Sequence, residues 1–157
     1  MNRRLKQAAL VSVVVFAGAQ FIRPERTNPT SEVNRTIQAF VESGSALPAV
    51  LDRSCGDCHS NNTVWPAAAN VAPLSWVMAR AVTEGRTIVN FSEWAAYSPE
   101  RRQALLAMSC RAASLGKMPG VYTVVRPETR LSAKDIDTIC AAARQTDTTA
   151  SLAGGSR

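Results

Sequence analysis

The chain has 157 residues, 46% of them hydrophobic, and a formal net charge of +6. That length bounds one small domain once an apolar N-terminal run is set aside, and a core of that size gains from a buried cofactor or a crosslink. Without Arg3, Arg4 and Lys6, which flank the run, 15 basic residues face 12 acidic ones; no basic stripe with interleaved aromatics appears, which argues against a nucleic-acid partner. The mild positive surface that remains suits an acidic protein partner, although a solvated face is the commoner explanation.

Residues 1–22 read as a secretory signal or a signal anchor, that is, one transmembrane helix. Arg3, Arg4 and Lys6 precede an uncharged run from Gln7 to Ile22, and Ala17-Gly18-Ala19 offers a small-residue cleavage site. The run is slightly short of the roughly 20 residues a comfortable span needs. Residues 23–31, with Pro24, Asn28, Pro29 and Thr30, read as a stiff linker. A first helix is predicted over Glu32 to Glu42, with Val33, Ile37, Phe40 and Val41 on its apolar side, and a second opens at Pro48 and runs to about Arg53.

Then comes Cys55-Gly56-Asp57-Cys58-His59, the C-x-x-C-H spacing of c-type haem attachment, ending on the chain's only histidine. Two thiols one helical turn apart match two vinyl groups, and the adjacent imidazole can turn under the iron. Beyond Trp65-Pro66, Val71, Leu74, Met78, Ala81 and Val82 recur at helical spacing until Gly85. "TIVNFSEW" is a connector. A further helix has Ser98 as N-cap and Pro99 at its first position, and closes at Gly116. "KMPGVYTVVRPETR" is a loop, briefly extended at Val121 to Val125. The last helix starts at Ser132 and Asp135, which have S-x-x-D capping spacing, and carries Ile136, Ile139, Cys140 and Ala143 on one face. Residues 147–157 are polar and small and read as a disordered tail. No alternating pattern long enough for a sheet appears, so the expected fold is all-α: a small cytochrome c-like domain over 32–146.

Four cysteines behind an export signal indicate an oxidising, extracytoplasmic compartment. A four-thiolate zinc site from Cys55, Cys58, Cys110 and Cys140 lacks a second closely spaced pair, and a thioredoxin-like dithiol lacks its βαβ context. One covalent haem c through Cys55 and Cys58, with His59 as an axial iron ligand, is the favoured reading. Cys110 and Cys140 then remain for each other as a disulfide, two buried free thiols being the alternative.

With one histidine, a bis-histidine haem cannot form within the chain. Met118 is the candidate second ligand because it lies in a loop, before Pro119; Lys117 is a weaker rival. Met78 and Met108 fall on helical faces where core packing is the simpler explanation.

The stretches "CGDCHSNNTVWP", "VAPLSW", "GRTIVNFSEW" and "KMPGVYTVVRPETRLS" together resemble the membrane-anchored bacterial haem-binding domain family, over about residues 20 to 145. The resemblance implies a compact c-type cytochrome-like fold, with haem on Cys55, Cys58 and His59 and with Met118 at the family's M-P position. Ala67, Ala68 and Ala69 stand where members often carry aromatics, and Arg126 where many have histidine. It also invites haem contacts at Arg86, Asn90 and Trp94, with Trp65 and Trp76 as further candidates for the haem wall.

The function expected from all this is that of a mono-haem cytochrome in a bacterial inner membrane. Its haem domain would face the periplasm and exchange single electrons with a protein partner, without being an enzyme itself. The alternatives are a haem-based sensor or small-ligand binder with an open distal site and, more remotely, a peroxidase-like enzyme.

Overall fold

A computed structural model describes residues 2–153 along the backbone, with side chains through residue 145. All regular structure among the described residues is helical. The α-helices are α1 (Arg3–Ala19), α2 (Leu47–Ser54), α3 (Gly56–His59), α4 (Leu74–Ile88), α5 (Pro99–Ser114) and α6 (Ala133–Ala153), joined by short 3-10 turns. Helices α5 and α6 pack along each other, α2 lies against α6, and the single turn α3 crosses α4. Ile37, Leu47, Leu51, Phe91, Trp94, Leu105, Leu106 and Ile139 form the core they enclose. Cys110 and Cys140 are joined by a disulfide that ties α5 to α6, with Cα atoms 4.8 Å apart.

The helix ends follow from identifiable residues. Ser98 Oγ accepts the Arg101 N–H at the start of α5. At its end Gly116 takes φ +64°. The Gly116 and Lys117 N–H groups return to the carbonyls of Ala113 and Ala112, the paired bonds of a Schellman stop. At α6, Ser132 Oγ accepts from Asp135 N–H while Asp135 Oδ2 accepts from Ser132 N–H, a reciprocal capping box. Arg53 of α2 adds a 2.8 Å ion pair to the same carboxylate oxygen, which locks α2 to the start of α6.

Several expectations are corrected. The helix predicted over 32–42 is two 3-10 turns, Val33–Arg35 and Ile37–Phe40. Thr36 between them is extended, and its hydroxyl bonds back to the Val33 carbonyl, so the ladder cannot run through. Helix α4 does not stop at Gly85 but runs to Ile88. The stretch expected to be extended at 121–125 belongs instead to a 3-10 turn, Gly120–Val124. Of the tail expected over 147–157, α6 takes in residues through Ala153, and 154–157 lie outside the described residues.

The N-terminal segment differs most. Helix α1 has 17 residues, none buried, which gives a length of about 25 Å, short of the ~30 Å hydrocarbon core of a bilayer. No helix among the described residues is long and apolar enough to cross a membrane, so the spanning helix expected over 1–22 is not found.

The segment after α1, read from the sequence as a stiff linker, is hydrogen-bonded to the helical body. Gln20 pairs with both backbone groups of Ala72, and Trp76 Nε1 donates to the Ile22 carbonyl. Arg23 and Arg26 donate to the carbonyls of Asn70 and Ala69, and Asn28 donates to that of Thr63. Residues 20–28 are therefore a strap bound to the helical body.

Candidate functional site

The site is built where α3 crosses α4. Crossing that closely needs glycine: a Cβ on Gly85 would overlap the carbonyl oxygen of Cys58 and lie 3.0 Å from its carbonyl carbon. The close approach brings the Gly85 and Val89 carbonyls to His59, whose Nδ1–H donates to them at 2.9 and 3.2 Å. That bond assigns the proton to Nδ1 and leaves the Nε2 lone pair outward, the tautomer a metal-ligating histidine needs. Burial holds the His59 pKa below the ordinary imidazole value, against a smaller upward effect of the two carbonyl bonds, so the ring is neutral and able to ligate at pH 7. Phe91 packs against the ring with centroids 6.1 Å apart.

His59 borders two small adjoining hollows, and Cys55 and Met118 border the same two. The larger, about 180 Å³, is almost wholly apolar, walled by Val89, Phe91, Ala113, Leu131 and Ile139. The smaller adds Cys58, Pro119 and Tyr122. The larger lies below the ~300 Å³ at which ordinary ligand sites begin.

Cys55 and Cys58 are both unpaired. Burial, and then the neighbouring Cys58, push the Cys55 thiol up to about 12. Cys58 is raised by burial and then by Asp57, with Arg86 opposing. Both are thus protonated thiols at neutral pH, unlike the low-pKa pair of a redox dithiol. Cys110 and Cys140 are spent on each other, which removes two of the four ligands that a four-thiolate zinc site would need.

The remaining sequence candidates divide. Met118 is 46% exposed and lines both hollows. Met108, expected to be core packing, is instead 43% exposed and lines the larger hollow only. Trp94 is buried in the core and stacks on Phe91. Trp65 lies under the Arg26 guanidinium, and Trp76 is held by the strap. Arg86 lines neither hollow: its guanidinium donates to Ser60 O, Thr27 O, Asn28 Oδ1 and Thr63 Oγ1, clamping the strap to the chain just past His59. Asn90 bonds Asn61 and caps the following turn through Ser92 N–H.

Sequence reasoning missed Asp57, Tyr122 and the part played by Arg126. The Asp57 carboxylate accepts from Val64 N–H and the Tyr122 hydroxyl, and pairs with Arg126. An acidic residue placed between the two cysteines was the available signal.

The donors present fit a haem: two thiols and a neutral imidazole on one turn, an apolar hollow, and a thioether that borders it. No curated protein and no solved structure matches the chain. The model of one family, described as a haem-binding domain, matches residues 14–145. The chain belongs to that haem-binding family.

Proposed function

We propose that this protein is a mono-haem c-type cytochrome that passes single electrons to or from a protein partner and carries out no turnover chemistry of its own. The observation that carries the reading is the His59 ring, fixed by the Gly85 and Val89 carbonyls so that Nε2 stands open beside Cys55 and Met118. Cys55 and Cys58, both free thiols, would hold the group through two thioether bonds. When bound, haem supplies a one-electron couple at its iron. His59 would hold the iron through Nε2 and Met118 through its sulfur, and the apolar wall would exclude water; a methionine ligand would raise the reduction potential and keep the iron low-spin.

We place the haem domain on the outer face of a bacterial inner membrane, in the periplasm. The Cys110–Cys140 disulfide supports an oxidising compartment, and α1, apolar behind its basic residues, supports export.

The test is spectroscopic. Met118→Ala in the matured protein should lose the methionine-to-iron charge-transfer band, and Met108→Ala should keep it. An unchanged spectrum in Met118→Ala, or a chain that carries no covalent haem, refutes the assignment. A second reading, a sensor whose sixth ligand is displaceable, draws on the exposure of Met118. Prompt carbon monoxide binding to the reduced protein favours it, and refusal favours the electron carrier.

A further inference from the structure

Asp57 sits between the two cysteines and is only 9% exposed. Its Oδ1 accepts the Val64 N–H at 2.8 Å, and its Oδ2 accepts the Tyr122 hydroxyl at 2.8 Å. The Arg126 guanidinium lies 3.4 Å from Oδ2, also donates to the Val64 carbonyl, and pairs with Glu128. A buried carboxylate is thus shared between the haem-attachment turn and the loop that carries Met118. Met118 itself is half exposed, so its place is set by its neighbours in the chain.

On the N-terminal side the loop is tied down by the Schellman bonds of Gly116 and Lys117. On the C-terminal side Tyr122 stands four residues away, in the 3-10 turn Gly120–Val124. Its N–H bonds the Pro119 carbonyl and its own carbonyl accepts from Arg126 N–H. A pull on the Tyr122 hydroxyl is therefore carried through a hydrogen-bonded turn to the residue next to Met118.

We propose that Asp57, Tyr122 and Arg126 form a lock that ties the Met118 loop to the Cys55–His59 turn. They are positioning residues that set how readily an outside ligand displaces Met118. The inference rests on Met118 being the sixth ligand. Arg126 supplies the cation that closes the lock, since its guanidinium reaches both the Asp57 carboxylate and the Val64 carbonyl.

The experiment uses the full chain matured with covalent haem, and reads the methionine-to-iron band and the affinity of the ferric protein for imidazole. Tyr122→Phe removes a hydrogen bond from the carboxylate and Arg126→Gln removes its ion pair; both should tighten imidazole binding, Tyr122→Phe by about tenfold, the weight of one hydrogen bond to a charged group. Ser132→Ala, a helix-cap lesion elsewhere, controls for destabilisation and should leave imidazole affinity at the wild-type value. A wild-type band together with wild-type imidazole affinity in both variants overturns the lock and leaves the Met118 assignment standing. Equal tightening in Ser132→Ala also overturns the lock, because general loosening would then explain it. No band in the wild-type protein overturns the Met118 assignment and the lock with it.

Discussion

Replacing Gly85 with alanine sets two effects of opposite sign against each other. Gly85 is inside α4, and in an unconstrained helix interior the exchange stabilises by about 1 kcal/mol through backbone entropy. Here the new methyl would overlap the Cys58 carbonyl oxygen and press on its carbonyl carbon at 3.0 Å and its Cβ at 3.2 Å. Two of those atoms are backbone, so no rotamer change relieves the contact; α4 or the Cys55–His59 turn must shift. Overpacking of this kind costs about 1–3 kcal/mol, and a rigid backbone obstacle places it at the upper end. The net expectation is a loss of about 2 kcal/mol, or roughly 8 °C in melting temperature for a domain of this size. Because Gly85 also supplies a carbonyl to His59, the imidazole should turn, and the absorption spectrum of the matured protein should change with the stability. Urea unfolding followed by circular dichroism, with Thr87→Ala on the exposed face of α4 as control, gives the sign. A Gly85→Ala protein as stable as wild type, or more so, would refute the close crossing of α3 and α4.

The Cys110–Cys140 disulfide closes a loop spanning 30 residues, worth about 3–4 kcal/mol on the chain-entropy account, so the double serine variant should lose that much in urea unfolding. Asp135 offers a pH test. The Ser132 bonds, and then Arg53, depress its pKa from 3.8 to about 2. A depressed folded-state pKa contributes stability that is fully present above the unfolded value and disappears as pH falls through the folded one. Wild type should therefore exceed Asp135→Asn in stability at pH 5, and the gap should close between about pH 4 and pH 2; a gap that stays constant across that window would contradict the capping geometry.

Helices α2, α5 and α6 are legible in the chain because their signals are local. Pro48, Ser98-Pro99, the Ser132–Asp135 pair and Gly116 each act on backbone groups within a few residues. The turn carrying Cys55, Cys58 and His59 is legible for the same reason, since one short motif spaces the thiols and the imidazole. What resisted reading depends on distant partners. Gly85 looks like a helix stop until Cys58, 27 residues earlier, is seen beneath it. The 3-10 turns around Thr36 mimic a helix because their apolar spacing over three or four residues is the same. The Arg86 bonds to the Thr27, Asn28, Ser60 and Thr63 oxygens join positions 23 to 59 residues apart and leave no periodic mark. The link from Asp57 to Tyr122 bridges 65 positions and has no periodic signature.

The strap moves the boundary at which this protein becomes a self-sufficient folding unit. By composition the domain begins near residue 32, and a chain trimmed there would keep Cys55, Cys58, His59 and Met118. It would also lack Gln20, Ile22, Arg23, Arg26, Thr27 and Asn28, which supply partners for Ala72, Trp76, Asn70, Ala69, Arg86 and Thr63. Arg86 would lose two of its four acceptors while keeping its hold on Ser60, next to His59. The smallest fragment that retains the site's support therefore begins at Gln20, one residue past the end of the exposed helix, and mechanical load on that helix reaches the backbone beside His59 through the Arg86 guanidinium.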